Sequence, residues 1–182
     1  LRALEDLVTQ GKVRYIGCSN LTSWQVVESQ WTSKSSHLSR FVSCQDEYNI
    51  LNRAIEHELI PAMQQYGCGL LPYFPLASGL LTGKYQSNKM PAGARLTDMP
   101  KFANRIYVTD QNFSIVEKLN SFAKEHGHTL LELAFSWMAT RPTVSSIIAG
   151  ATKPEQIDAN VNAIGWKMTP GQVSMVDNIS QK

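Results

Sequence analysis

The chain has 182 residues, of which 43% are hydrophobic, so it is long enough for one domain with a sizeable core and short for two. Its formal net charge is +2 and the basic residues are scattered, which argues against a nucleic-acid-binding stripe or a membrane-surface helix. No apolar run approaches the roughly 20 residues that cross a bilayer. We therefore expect a soluble single domain with no membrane span and no nucleic-acid partner.

The three cysteines, Cys18, Cys44 and Cys68, are odd in number and lack the spacing of metal ligands. Cys18 and Cys44 lie in apolar, strand-like runs, where a thiol usually acts as a small core residue. We interpret all three as reduced thiols, which predicts a cytoplasmic protein without a metal site.

The first residue is Leu1 rather than methionine, and it lies inside an amphipathic pattern in which Leu1, Leu4, Leu7 and Val8 share one helical face. Natural domains seldom begin within a helix. The pattern favours a chain that is the C-terminal part of a longer protein.

Short apolar runs alternate with helical patterns along the chain. The predicted strands cover residues 13–18, 41–45, 69–73 and 145–148. The predicted helices cover residues 1–11, 22–30, 54–66 with a break near Pro61, 111–125 and 130–140, with further helices opening at Pro154 and Pro170. Residues 74–108, rich in glycine, proline, serine and lysine, are predicted to be irregular.

Strands that are apolar on both faces and alternate with helices indicate parallel pairing in an α/β fold. Four such units make half of a (β/α) barrel, in which functional residues gather at the C-terminal ends of the strands. A doubly wound sheet is the alternative, but no glycine-rich dinucleotide fingerprint follows any predicted strand. The barrel is favoured.

The segment from Ser145 to Asn160 combines a predicted strand, a small-residue turn and a helix opened by Pro154. Such a turn directs unpaired backbone N–H groups and the positive end of a helix dipole to one point, which suits a phosphate. Gln156 and Asn160 lie four residues apart and overlook that point. An ordinary strand-to-helix turn capped by Thr152 explains the same pattern.

Four segments occur in one order and spacing: GKVRYIGCSN, FVSCQDEYNIL, LLPYFPLASGLLTGKY and SSIIAGATKPEQIDANVNAI. Together they resemble the C-terminal half of an aldo-keto reductase, in the subgroup that includes bacterial aldo-keto reductases and the β subunits of voltage-gated potassium channels. The resemblance implies a (β/α)8 TIM barrel, of which this chain supplies about four β/α units. It also implies an NAD(P)H-dependent oxidoreductase acting on a small carbonyl substrate.

The resemblance assigns a cofactor role to residues at the predicted strand ends. Ser19, Asn20 and Gln45 match the polar group that hydrogen-bonds the nicotinamide carboxamide, which needs both donors and acceptors. Tyr73 matches the aromatic residue that stacks on the nicotinamide ring. A core aromatic residue at the barrel rim is the alternative reading of Tyr73.

Other matched positions correspond to the phosphates and the adenosine. The loop that wraps the pyrophosphate corresponds to Phe74, Pro75, Leu76, Ala77, Ser78 and Gly79, with Lys84 beside it and Arg95 as a further phosphate or adenosine contact. The adenosine and 2′-phosphate pocket corresponds to Gly150, Ala151, Thr152, Gln156 and Asn160. The resemblance therefore predicts NADP as the cofactor.

Two departures from the family pattern bear on this prediction. Many relatives have a glutamate where this chain has Ala159, and the better-known reductases have an arginine where it has Gln156. These departures weaken the prediction of a strict preference for NADP, and NAD is the alternative cofactor. The family's catalytic tyrosine, lysine, aspartate and histidine match no residue here, so we assign no catalytic residue. A nucleotide-sensing regulatory subunit is the rival function.

Overall fold

The computed structural model describes residues 1–85, 90–98 and 107–181. The helices are α1 Arg2–Thr9, α2 Ser23–Ser35, α3 Leu59–Tyr66, α4 Arg95–Asp98, α5 Asp110–Glu125, α6 Leu130–Ala139, α7 Pro154–Asn162 and α8 Pro170–Ser180. The strands are β1 Ile16–Ser19, β2 Phe41–Glu47 and β3 Gly69–Tyr73. Short 3₁₀ helices occur at Ala54–Glu56, Ala77–Thr82 and Ala163–Gly165.

The chain divides into two compact units. The first comprises Leu1–Tyr48, Arg53–Tyr73 and Pro142–Ile147, and the second comprises Asn49–Asn52, Phe74–Arg141 and Ile148–Lys182. Strands β1, β2 and β3 therefore belong to the first unit, and α4 to α8 belong to the second.

The first unit is built on a parallel sheet in the order β1-β2-β3, as the alternation of strands and helices predicts. The register pairs Ser19 with Gln45, and Gln45 with Leu71. Because side chains alternate between the faces of a strand, the residues Ser19, Gln45 and Tyr73 lie on one face of the sheet. Cys18, Cys44 and Leu70 pair across the three strands and lie on the other face.

The fourth predicted strand is mostly absent. Val144 makes one parallel bridge with Leu70, closed by hydrogen bonds from Leu70 N to Thr143 O (2.7 Å) and from Ser145 N to Leu70 O (2.9 Å). The prediction of a buried strand over residues 145–148 is wrong, since Ser145 and Ser146 are exposed and Ile148 is 39% exposed. The single bridge between Val144 and Leu70 pairs the chain with β3 at one point, and this leaves both faces of residues 145–148 largely open to solvent.

Other boundaries also differ from the predicted ones: α2 continues to Ser35 rather than Gln30, and β2 to Glu47 rather than Gln45. Strand β1 begins at Ile16 rather than at Val13, and Tyr15 is 75% exposed. The predicted interruption of residues 54–66 lies before Leu59, not at Pro61, because Pro61 occupies the first turn of α3, where its missing N–H leaves no bond unmade. The helix ends at Gly67, whose φ of +64° provides the left-handed cap.

The second unit has a helical core. Helices α5 and α6 confirm the predicted pair, and both begin with a threonine cap: Thr109 accepts a hydrogen bond from Asn112 N, and Thr129 accepts one from Glu132 N. Leu119, Leu133 and Trp137 are fully buried between the helices. None of the helices in the described parts of the chain has the length and apolar character that crossing a bilayer requires.

Candidate functional site

In the first unit, the predicted nicotinamide residues meet at the C-terminal ends of the strands. The Tyr73 hydroxyl donates a hydrogen bond to Oδ1 of Asn20 (2.7 Å), and Nδ2 of Asn20 donates to Oγ of Ser19 (2.9 Å). The backbone N–H of Asn20 bonds to the carbonyl of Gln45 (3.1 Å). We call the chain Tyr73–Asn20–Ser19 the polar relay.

The backbone of Asn20 is held in an uncommon conformation. Its φ is +56°, in the left-handed region that asparagine tolerates better than most residues. The left-handed turn ends the strand and directs the Asn20 amide back toward Ser19 and Tyr73. An amide fixed by bonds at both Oδ1 and Nδ2 has a defined donor–acceptor orientation, as recognition of another amide requires.

The carboxyl groups at the strand ends influence the tyrosine. Burial raises the pKa of Tyr73, and the charges of Glu47 and Asp46 raise it further. Burial likewise raises the pKa of Asp46. The Tyr73 hydroxyl therefore keeps its proton at neutral pH and remains the donor of the polar relay.

A cavity of about 510 Å³ opens beside Asn20 in the first unit. Its lining includes Trp24, Asp46, His57 and Glu58. Two carboxyl groups in one cavity disfavour an anionic ligand. This cavity is thus unsuited to the phosphates of a nucleotide.

In the second unit, residues 74–79 form a loop of unusual backbone conformation, which we call the left-handed loop. Phe74, Ala77 and Ser78 have φ values of +52°, +49° and +57°, and Gly79 has +97°. Each such non-glycine residue costs about 1 kcal/mol or more, and strained backbone of this kind clusters at functional sites. The hydroxyl of Ser78 is buried there and has no hydrogen-bond partner among residues 1–85, 90–98 and 107–181. A buried polar group with no partner fits a ligand that supplies an acceptor.

Two cationic side chains flank the left-handed loop. A Cβ built on Gly79 would lie 3.4 Å from Cε and 3.5 Å from Nζ of Lys84, so the lysine runs directly over this glycine. The Arg95 guanidinium lies 5.1 Å from the centre of the Phe74 ring. The structure thus brings Lys84 and Arg95 to the same loop, and this grouping suits an anion.

Asn49 anchors the left-handed loop, and sequence reasoning did not assign it a role. Its Nδ2 donates to the Phe74 carbonyl (3.0 Å) and to the Tyr107 hydroxyl (3.0 Å), while its Oδ1 accepts from Leu51 N and Asn52 N (both 2.9 Å). The side chain is fully buried. The sequence does contain a signal for this role. An asparagine shortly after a predicted strand can accept a hydrogen bond from the backbone N–H two residues further along the chain.

The turn before α7 differs from its prediction. Pro154 occupies the first helical position as expected, but Oε1 of Gln156 accepts hydrogen bonds from Thr152 N (2.7 Å) and Lys153 N (3.3 Å). The expectation that this turn offers unpaired N–H groups is wrong at these two positions, because the helix caps itself. The cap is also centred on Lys153 rather than Thr152. Gly150 and Ala151 are exposed, and Asn160 is half-buried.

No group of histidine, cysteine and acidic residues suited to a metal ion occurs within residues 1–85, 90–98 and 107–181. His126 and His128 instead pack with Trp166, the His128 ring stacking on it at 4.2 Å between centroids. His126 bonds through Nδ1 to the carbonyl of Phe122 (2.8 Å). These contacts give both histidines a structural role beside Gly127.

Comparison with known proteins identifies the class to which this fold and these residues belong. The model of the aldo/keto reductase family matches residues 1–181, and the chain belongs to that family. The family fold is the (β/α)8 barrel, with which the parallel sheet of the first unit agrees.

Relatives with different names match almost the whole chain. It is 36% identical to a probable voltage-gated potassium channel subunit beta of Oryza sativa subsp. japonica, over 100% of this chain and 56% of that protein. It is 32% identical to protein Tas of Escherichia coli K12, over 100% of this chain and 52% of that protein. It is 30% identical to a putative aryl-alcohol dehydrogenase of Schizosaccharomyces pombe, over 97% of this chain and 49% of that protein. The chain thus spans about half the length of these curated relatives.

Proposed function

We propose that this chain supplies the cofactor-binding part of an NAD(P)H-dependent aldo-keto reductase, which transfers hydride between the nicotinamide and a small carbonyl or alcohol substrate. The observation that carries the proposal is the buried hydroxyl of Ser78, which has no hydrogen-bond partner in the described part of the chain and lies in a left-handed loop flanked by Lys84. This loop fits an anionic ligand, and the oxidoreductase names among the relatives favour a dinucleotide. When bound, the cofactor supplies the hydride chemistry.

In the first unit, we assign the nicotinamide carboxamide to Ser19, Asn20 and Gln45. The polar relay supports this assignment, because it leaves Ser19 with its hydroxyl proton to donate and Asn20 with a second Nδ2 proton. We assign to Tyr73 the role of stacking on one face of the nicotinamide ring; its hydroxyl is held by Asn20. The role of these residues is to bind and orient the ring so that hydride transfer has one geometry.

In the second unit, we assign the pyrophosphate to the left-handed loop of Phe74, Pro75, Leu76, Ala77, Ser78 and Gly79, with Lys84 and Arg95. A phosphate oxygen would give the Ser78 hydroxyl its missing acceptor, and both cations would offset the negative charge. We assign the adenosine to Gly150, Ala151, Thr152, Gln156 and Asn160. Since Oε1 of Gln156 caps α7, the group that it can offer a ligand is Nε2.

We further propose that the proton donor of the reaction lies outside this chain, since none of Tyr15, Tyr48, Tyr66, Tyr85 and Tyr107 matches the family's catalytic position. The purified 182-residue chain is then expected not to reduce an aldehyde such as nitrobenzaldehyde, while the full-length protein that carries it consumes NADPH with that substrate. Absorbance of NADPH measures both. Steady turnover by the chain alone would contradict the proposed location of the proton donor.

A second function is favoured by the similarity to potassium channel β subunits. The same residues would then hold a dinucleotide whose redox state is sensed with little turnover. The turnover assay on the full-length protein separates the two functions: tight NADPH binding with no reduction across a panel of aldehydes and ketones favours the sensing subunit. Loss of both binding and turnover contradicts both functions.

NADP is expected to bind more tightly than NAD, though by a smaller factor than in a protein with a pocket arginine. The positive potential of Lys84, Arg95 and the N-terminal end of α7 favours the cofactor with the extra phosphate, but Gln156 brings no charge to the 2′-phosphate itself. Dissociation constants for NADPH and NADH, measured at several salt concentrations, test this, because a preference based on charge shrinks as salt rises. Equal affinities at low salt would refute the expected preference.

A further inference from the structure

The sheet of the first unit brings two cysteines side by side. Cys18 on β1 and Cys44 on β2 are paired in register, and their Sγ atoms lie 3.3 Å apart in a thiol–thiol hydrogen bond. Cys68, just before β3, also lies in the first unit. Its Sγ accepts a hydrogen bond from Nε2 of Gln30 (3.0 Å) and donates to the carbonyl of Phe41 (3.2 Å).

The pairing of Cys18 with Cys44 meets the geometric requirement of a disulfide. Neighbouring strands lie about 4.8 Å apart, within the Cα separation of about 4.4–6.8 Å that disulfides span. The two Sγ atoms need to approach from 3.3 Å to about 2.05 Å. Cys68 also shares a hydrogen bond with Cys44, but the two are not paired in register, since Cys44 pairs with Leu70. The thiol of Cys68 is also engaged by Gln30 and Phe41.

The two cysteines also differ in access and in acidity. Cys18 is half-buried, whereas Cys44 and Cys68 are only 1% and 4% exposed. The hydrogen bond with Cys44 lowers the pKa of Cys18, while the same bond, a second one with Cys68 and burial raise the pKa of Cys44. The hydrogen bond with Cys44 also lowers the pKa of Cys68, to about 7, but Cys68 is buried. Cys18 is thus the one of the three thiols that combines a lowered pKa with access to solvent, and a reactive thiol needs both properties.

We propose that Cys18 and Cys44 form a redox-active pair that a hydroperoxide converts to a disulfide. The Cys18 thiolate attacks one oxygen of hydrogen peroxide, the O–O bond breaks, and the released hydroxide takes a proton to leave as water. The sulfur of Cys44 then attacks the sulfenic acid sulfur of Cys18, and a second water leaves with the Cys44 proton. Two thiols are oxidised by two electrons and one peroxide is reduced to two waters.

The position of the pair gives the reaction a consequence for the neighbouring site. Ser19 and Gln45 directly follow Cys18 and Cys44 and are themselves paired in register. Drawing the two sulfurs together alters the spacing of β1 and β2 where these polar side chains begin. We therefore expect the oxidised form to bind NADPH less tightly than the reduced form, an expectation that rests on the proposed function, whereas disulfide formation does not.

The test treats the reduced full-length protein with hydrogen peroxide and maps its peptides by mass spectrometry without reduction. The expected product is a Cys18–Cys44 cross-linked peptide, lost in Cys18→Ser and Cys44→Ser and retained in the matched variant Cys68→Ser. Reversal by dithiothreitol should restore both thiols. Mapping of the unsubstituted protein decides the outcome even where a variant fails to fold.

Three results would overturn the redox pair: unreacted thiols at peroxide levels that oxidise free cysteine, overoxidation of Cys18 without a cross-link, or a cross-link that includes Cys68. Titration of NADPH into the oxidised and reduced forms is read separately. A cross-link together with unchanged NADPH affinity would support the redox pair and refute its expected effect on cofactor binding. A cross-link in a protein that binds no dinucleotide would support the redox pair and contradict the proposed function.

Discussion

Replacing Tyr73 with alanine is expected to weaken NADPH binding by about 5- to 150-fold, equivalent to about 1–3 kcal/mol. Two contributions are lost together. Under the proposed assignment, the ring would no longer cover one face of the nicotinamide, and Asn20 loses the hydroxyl that donates to its Oδ1 at 2.7 Å. Fluorescence or calorimetric titration of the full-length protein measures the change in the dissociation constant.

Tyr73→Phe separates the two contributions, because it keeps the ring and removes the hydroxyl. We expect it to lose only the smaller part, about 0.5–1.5 kcal/mol, which is typical of one hydrogen bond. Tyr15→Ala is a matched control, since Tyr15 is 75% exposed and precedes β1. An unchanged dissociation constant in Tyr73→Ala would show that Tyr73 is only a packing residue at the strand end.

Trp137→Ala is expected to lower the free energy of unfolding by about 3–5 kcal/mol, the usual range for removing a large aromatic side chain from a core. Trp137 is fully buried in α6. Its Nε1 donates to Oδ1 of Asp177 in α8 (2.9 Å), and the Arg141 guanidinium lies 4.1 Å above its ring. The substitution removes packing, this hydrogen bond and the cation–π contact together. Urea unfolding followed by circular dichroism gives the difference.

Trp24→Ala is the matched control for the tryptophan substitution. Trp24 is 63% exposed, so its loss should change stability by no more than about 0.5 kcal/mol. Trp137→Phe should fall between the two, because it keeps much of the ring volume but gives Asp177 no N–H donor. Equal stabilities for Trp137→Ala and Trp24→Ala would contradict the helical core described for the second unit.

Local chemistry made several elements readable from the amino-acid sequence. The predicted strand over residues 69–73 follows Gly67, and the structure places β3 at Gly69–Tyr73. The segment after it, predicted to be irregular, instead contains the 3₁₀ helix Ala77–Thr82 and helix α4. Helices α5 and α6 lie within a residue of their predicted ends, because threonine caps and apolar spacing act within one turn. The family resemblance likewise depends on short runs of sequence, and the family match confirms it.

The tertiary structure decided what depends on partners distant in sequence. Residues 145–148 have a strand-like composition, but a strand needs a paired neighbour along its length. The one bridge to β3 is made by Val144, just before this segment, and within it Ser145 N bonds to the Leu70 carbonyl. The Ser78 hydroxyl has no acceptor within the described residues, and Asn49 anchors the loop that contains it; both depend on which groups the fold brings near them. The pairing of Cys18 with Cys44 follows from the register of β1 and β2, which brings together residues 26 positions apart. Composition alone does not specify that register.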